Sequence, residues 1–261
     1  MLAGVLANEG ADLSAHETLE RAQRQADDFS LLAAEYETLA QAAQQQRFDD
    51  LLDRPGLDTE HLGQVRQSPS YGPLLAGLRY AESRGLDLEG GLPKLVAARP
   101  LDGADDPAAV MHGRVEQWAH TAASGRRTVP NHIAGLIPRA LGVSDLDMVR
   151  ALSEREEAMS HRARELAVLA QETGEAWVTK LGSPPADPVV REMWVAAVSC
   201  VAAYRDRWRI GEAHDPLGSD ATFTSKEQAN HRERAQVAVH AARRLQRTEV
   251  REASLSDRLP N

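Results

Sequence analysis

Residues 187–208 hold the feature that most constrains what this chain can fold into. Asp187 is a good helix N-cap, and Pro188 fits the first helical position, where its missing N–H is not needed. Trp194, Val198, Val201, Tyr204 and Trp208 then recur at helical spacing, so one face of a helix gathers most of the bulky apolar atoms of the region. Such a helix is stable only against partners that bury that face, so the chain must supply further helices. Gly211 reads as its end, and Asp215-Pro216-Leu217-Gly218 as a stop. The aromatic stripe reads as core rather than cofactor site, because rings at this spacing usually bury their area.

The rest of the sequence agrees with helices. Aromatics make up 4% of the 261 residues, Ala and Leu dominate the apolar set, and alternating strand-like runs are missing, so the predicted fold class is all-α. Two helical subdomains are expected. Residues 1–123 read as a cluster of short helices. Ser14 and Glu17 form a capping-box pair, the joint at Phe29-Ser30 puts Ser30 at the cap of a second helix running to Leu52, and Pro55-Gly56 breaks it. Asp58, Ser68-Pro69-Ser70, Asp87 and Asp106-Pro107 open further helices, and Gly85 followed by Leu86 has the form of a glycine C-cap with its apolar contact.

Residues 124–143 lack a clean period, carry two prolines and read as the linker between subdomains. The second subdomain, 144–253, reads as a long hairpin-like helical bundle. Val149, Glu156, Ala163, Ala170 and Trp177 repeat every seven residues, as do Leu152, Met159, Leu166 and Thr173, which predicts one rod over 145–180, about 50 Å long. The Glu and Ala in that seam favour packing within the chain against the 187–209 helix over a parallel dimer. Ser225 and Gln228 offer a capping box for a last helix to about 252, with 254–261 a disordered tail.

Charge and chemistry are less telling. The net charge is −9 and unevenly placed: 1–123 carry 20 acidic against 10 basic residues, and 124–261 carry 19 against 20. An acidic first half argues against duplex DNA lying along it. Arg supplies 27 of the 30 basic residues, a skew that reads as coding bias. The single Cys200 on an apolar helix rules out an intrachain disulfide and a cysteine cluster for zinc, and suits a reducing interior. No phosphate loop, dinucleotide fingerprint, nucleophile elbow or H-E-x-x-H motif is present, and the nine histidines are scattered, so neither a catalytic site nor a cofactor or metal is expected. No apolar run is long enough to span a membrane and the N-terminus is unlike a secretory signal, so a soluble cytoplasmic protein without membrane insertion is expected. The candidate contacts for a partner or nucleic acid are Arg205 and Arg209, interleaved with Tyr204 and Trp208, and Arg243, Arg244, Arg247 and Arg251 on the last helix.

Several blocks are familiar. IAGLIPRALGVSDLDMVRALSEREE (133–157), LGSPPADPVVREMW (181–194), VAAYRDRW (201–208) and DPLG (215–218) resemble the C-terminal region of the large conjugative relaxase-helicases of the MobF, or TrwC/TraI-like, family of actinobacterial-type elements. VLANEGADLSAHETL (5–19) and RPLDGADDPAAVMHGRVEQW (99–118) are similar to the segment that follows the helicase motor there. The family's metal-binding histidines, nicking tyrosine and Walker motif have no counterpart here, so nicking and ATP hydrolysis map onto no residue. The resemblance implies a fragment or a free-standing truncated product, its opening MLAGVLANEG suiting an internal start. It also implies a non-catalytic helical module for protein interaction or recruitment in plasmid DNA transfer, with conjugation proteins such as the secretion coupling protein as partners. The alternative is a single-stranded nucleic-acid-binding accessory domain of the same machinery. Nothing in the sequence fixes the oligomeric state.

Overall fold

A computed structural model describes residues 28–53, 57, 59–122, 132–219 and 225–256. Helices make up 72% of it and the one sheet among the described residues has two strands, so the fold is all-α. The first element, α1 (Phe29–Asp53), runs without interruption for 25 residues. Its cap is Asp28 rather than Ser30: Asp28 Oδ1 accepts the Ser30 N–H at 2.7 Å, while the Ser30 hydroxyl donates to the Arg207 carbonyl. The Ser14 to Glu17 cap and the Pro55-Gly56 break lie outside the described residues.

Two hydrophobic cores share α1. The first comprises α2 (Thr59–Gln67), α3 (Tyr71–Ser83), α4 (Leu88–Ala97) and α5 (Pro107–Thr121), packed around the C-terminal half of α1. Phe48, Leu74, Leu75, Leu78, Met111 and Val115 are fully buried there. Short connections hold these helices in place. Asp106 caps α5 by accepting the Ala109 N–H, and its carboxylate also accepts the hydroxyls of Ser68 and Ser70 at 2.7 Å, tying the start of α5 to the turn before α3. Gly85, at φ 78°, closes α3 as expected: the Leu86 N–H donates back to Ala81 and the Gly85 N–H to Glu82. The glycines that weaken α4 have a packing reason, because a Cβ on Gly91 would lie 2.3 Å from the Trp118 ring.

The second core comprises the N-terminal half of α1, a hairpin of β1 (His132–Ile133) and β2 (Ile137–Pro138), then α6 (Leu146–Glu172), α7 (Ala176–Thr179), α8 (Pro188–Arg207) and α9 (Lys226–Ser256). Asp145 and Asp187 cap α6 and α8, each accepting two backbone N–H groups at 2.9 Å. α6 packs on both α1 and α8, the intrachain arrangement that its Glu and Ala seam favours. Leu152, Met159, Ala163 and Ala170 are buried in that seam, but Val149 is exposed. The rod is shorter than 145–180, because Gly174 at φ 67° turns the chain and Glu175 N–H caps back onto Ala170. Trp177 belongs to α7 instead. α9 runs antiparallel to α8: Trp208 lies against His231, while Arg243 and Gln246 meet the 180–182 turn on which Trp194 is anchored.

Three boundaries differ from the sequence reading. Residues 132–143 are not a linker: Ile133, Leu136 and Ile137 are at most 1% exposed within the second core, and the division between cores falls inside α1. Residues 124–131 lie outside the described part. Helix α8 ends at Arg207 and is closed by a turn at Arg209 rather than at Gly211, since Arg209 takes a left-handed φ of 49° and Ile210 N–H donates to the Arg205 carbonyl. Helix α9 continues to Ser256, so 254–256 are helical, not tail; 257–261 lie outside the described residues.

The stripe on α8 is core, with Trp194 and Tyr204 each 1% exposed and Val201 fully buried. Trp194→Ala is therefore expected to cost about 3–5 kcal/mol, the usual range for a buried aromatic, read as a shift in the urea midpoint. A cost under about 1 kcal/mol, as for a surface change, would place the ring outside the core.

Candidate interaction surface

The arginines singled out from sequence have divergent fates. Arg205 is half-buried and structural. Its guanidinium donates to the carbonyls of Asp215 at 2.8 Å and of Glu212 at 2.7 Å, and lies over the Trp177 ring at 4.9 Å. It thereby fastens the Asp-Pro-Leu-Gly turn to the end of α8, and burial lowers its guanidinium from the ordinary value. Arg207 is equally committed, to Glu37 and Glu227. Arg209 is exposed. The structure does not gather the other four with these two. Arg243 donates to the Lys180 carbonyl at 3.0 Å; Arg244 and Arg247 are exposed on α9; Arg251 lies on the same helix, its side chain outside the described residues.

The aromatics beside these arginines are not available for base stacking. Trp177 and Tyr204 are buried, and the Trp208 indole N–H donates to His231 Nδ1 at 3.3 Å. An open cleft of about 370 Å³ does lie at this end of the bundle, between Trp177, Arg205, Asp206 and Arg209. Its wall is mixed in sign: Asp206 accepts the Phe29 N–H, and burial pushes its carboxyl up. A second groove of about 390 Å³ along α6, beside Leu32, carries Glu154, Glu157 and Glu165 with His161 and Arg162.

One part of the bundle's exposed surface gathers apolar side chains from α6 and α8. Arg164 forms a two-pronged ion pair with Glu192, which sets α6 beside α8. Val168 lies one turn from Arg164, Val189 one turn before Glu192 and Met193 next to it, with Val168, Leu169, Val189 and Met193 41–71% exposed. Other basic groups nearby are neutralised, Arg155 by Glu35 and Arg139 by Glu156. That pattern does not make a phosphate-tracking groove.

Between the two cores lies a polar junction that the sequence did not announce. Gln44 is fully buried; it accepts the Arg79 Nε–H and donates to the Leu141 carbonyl, both at 2.8 Å. Arg79 is 5% exposed, its guanidinium lowered by burial and held by the nearby charges of Glu37 and Glu82. The Tyr36 hydroxyl donates to Glu156 and accepts the Ala140 N–H, and burial raises it well above its ordinary value. On the other side, α5 and α3 meet α9 through Lys226 with Glu116, His120 with Asn230 and Arg84 with Glu233. A polar residue on an apolar helix face is the one signal that was there to read: Gln44 falls a turn after Ala40 and a turn before Phe48.

His132, on a strand, and His231, on α9, are both buried. Burial, with Arg234 and Arg84 nearby, pushes His132 down to about 3, and burial pushes His231 well below the ordinary value. Cys200 is fully enclosed and its thiol is pushed up to about 11 by burial, as suits an inert core residue. Among the described residues no cluster of His, Cys, Asp and Glu is placed to hold a metal ion, and no helix is long and apolar enough to cross a membrane.

No family model matches the chain, and neither the curated proteins nor the solved structures contain a match.

Arg205 and Arg209 should respond oppositely to substitution. Arg205→Ala removes the guanidinium that ties the carbonyls of 212 and 215 to the end of α8 and its cover over the Trp177 ring, and is expected to cost about 1–3 kcal/mol. Arg209→Gly relieves a left-handed backbone and is expected to add about 0.5–1 kcal/mol. Urea titration of both variants checks the pair; a neutral Arg205→Ala would return that residue to the surface.

Proposed function

We propose that the chain is a non-catalytic helical interaction module of the conjugative relaxase-helicase type, recruiting a protein partner in plasmid DNA transfer. The observation that carries this reading is the outer stripe of α9. Glu233, Val237, His240, Arg244 and Arg247 are all exposed and follow one another at steps of three and four, the spacing of a single helix face, and Arg251 falls on the same line. α9 has 31 residues against 20 for α8, and Leu245 is the last of its described side chains packed on the core, so the basic end reaches past the helix that carries it. In a chain of net charge −9 a cationic helix end favours an acidic docking surface, such as one on the secretion coupling protein. The exposed Val168, Leu169, Val189 and Met193 further favour a protein partner, whose core contacts are apolar.

The alternative of single-stranded nucleic-acid binding is less well supported, because the stacking rings are internal and most neighbouring arginines bind carboxylates or carbonyls. Of the blocks that suggested both readings, 133–157, 181–194, 201–208 and 215–218 build the second core, through Ile133, Leu181, Trp194 and Leu217, while 99–118 gives Leu101, Met111 and Val115 to the first.

Replacing Arg244, Arg247 and Arg251 together by Gln is expected to leave the melting temperature within about 2 °C, as for surface changes. Transfer of a plasmid whose relaxase carries this region should fall by about tenfold or more, the scale of one lost charge-assisted contact. Arg243 is left in place because it holds the 180 turn. Unchanged transfer at normal protein level would refute the proposal. Oligonucleotide binding that collapses between low and physiological salt would transfer it to the DNA reading.

A further inference from the structure

We propose that the junction between the two cores is an acid-sensitive latch, in which protonation of His132 beside Arg84 and Arg234 parts the α3–α5 side from the hairpin and α9 while α1 stays intact as the hinge. His132 is 8% exposed, and its Nε2 has no hydrogen-bond partner among the described residues. It stands where three elements converge. From α9 come Arg234, whose Nε–H donates to the Gly135 carbonyl at 2.7 Å, and His231. Arg84, the cap at the end of α3, also faces His132, while Tyr80 of α3 and Cys200 of α8 face Arg234. The carboxylate in this neighbourhood, Glu233, is already opposite Arg84 at 3.7 Å, and Arg207 beside His231 is held by Glu37 and Glu227. Among the described residues, a proton on His132 thus adds a buried cation among guanidiniums whose carboxylate neighbours are already paired.

The seam is built to yield there before the cores do. On the α9 side its ties are polar and near the surface, Lys226 with Glu116, His120 with Asn230 and Arg84 with Glu233, and exposed pairs of this kind hold weakly. On the opposite side α1 is a continuous helix with a buried side chain in each core. Parting the α9 side admits water to His132 and separates it from Arg84 without uncovering Trp194, Val201 or the hairpin's Ile133. The direction with pH follows from burial. The closed junction holds His132 neutral, and the opened one lets it take a proton at its ordinary value near 6.5. The closed form therefore has its full advantage above that pH and loses it progressively as the pH falls.

The experiment uses two thiols in the full chain. Ser83, one turn on from Arg79 and 5% exposed, is replaced in Ser83→Cys; the native Cys200, enclosed in the second core, serves as reference. Labelling rates of each are divided by those of the urea-unfolded chain at the same pH, which removes the pH dependence of thiol reactivity. Between pH 7 and pH 5 the opening seen at the introduced thiol should rise about 25-fold, the increase set by one histidine titrating near 6.5 only when open. Cys200 should stay protected and the helical ellipticity unchanged. His132→Gln, which is polar and cannot titrate, should abolish the rise. Equal labelling of both thiols would mean global unfolding and would overturn the latch, as would a flat response or a rise that persists in His132→Gln.

Discussion

The architecture depends on one buried carboxamide in the middle of one helix. α1 supplies Phe29, Tyr36 and Ala40 to one core and Phe48, Leu51 and Leu52 to the other, and between them Gln44 is fully enclosed. A buried amide without partners would cost about 1–3 kcal/mol. Gln44 avoids this only when α3 brings Arg79 to its oxygen and the chain after the hairpin brings the Leu141 carbonyl to its nitrogen. Arg79 in turn is tolerable only beside Glu37 and Glu82. Apolar packing alone would let two helical clusters meet in many orientations. This chain of obligations accepts one.

The junction is consequently lopsided. Along α1 the ties are enclosed: Arg47 bonds both Glu82 and the Leu141 carbonyl, and its side chain lies where a Cβ on Gly142 would have to go. Gly142 at φ 69° is thus fixed twice, by its backbone conformation and by that guanidinium. Where α5 meets α9 the ties are solvated pairs that contribute little to stability. Stiffness therefore resides on one edge, and the basic outer face of α9 belongs to the edge that can be disturbed at least cost.

Legibility followed the range of the interactions involved. The caps at Asp106, Asp145 and Asp187 and the closing turn at Gly85 depend on residues within five positions, and the sequence displays them whole. Gly174 escaped because Trp177 kept the seven-residue register on the far side of the turn, so the period survived a break in the helix. The hairpin escaped for another reason. Two-residue strands carry no alternation, and β1 packs on α6 and β2 on α3, the latter far back in the chain, so nothing local announces the burial of Ile133 and Ile137. The candidate arginines were separable only in three dimensions: Arg205 and Arg209 are one turn apart in sequence, yet one holds a loop and the other faces solvent.

That contrast extends to the composition. With aromatics at 4%, the chain has few rings to seat its loops, and arginine takes up the task. Arg114 donates to the carbonyls of Leu95 and Arg99 at the end of α4; Arg191 to those of Pro185 and Ala186 before α8; Arg232 to those of Leu217 and Gly218. Arg47, Arg205, Arg234 and Arg243 likewise bind backbone oxygen at turns and loops. A planar fork can hold two diverging carbonyls at once and keeps its charge when half-buried, whereas a lysine ammonium offers one compact point and gives up its proton more readily. The preference for Arg at 27 of 30 basic positions therefore has a structural use whatever its origin in the coding sequence. It also narrows the search for function. An arginine in this protein is by default a fastener, and the candidates for recognition are those that stand exposed in a row along one helix face, which points to the outer face of α9 rather than to the aromatic end of α8.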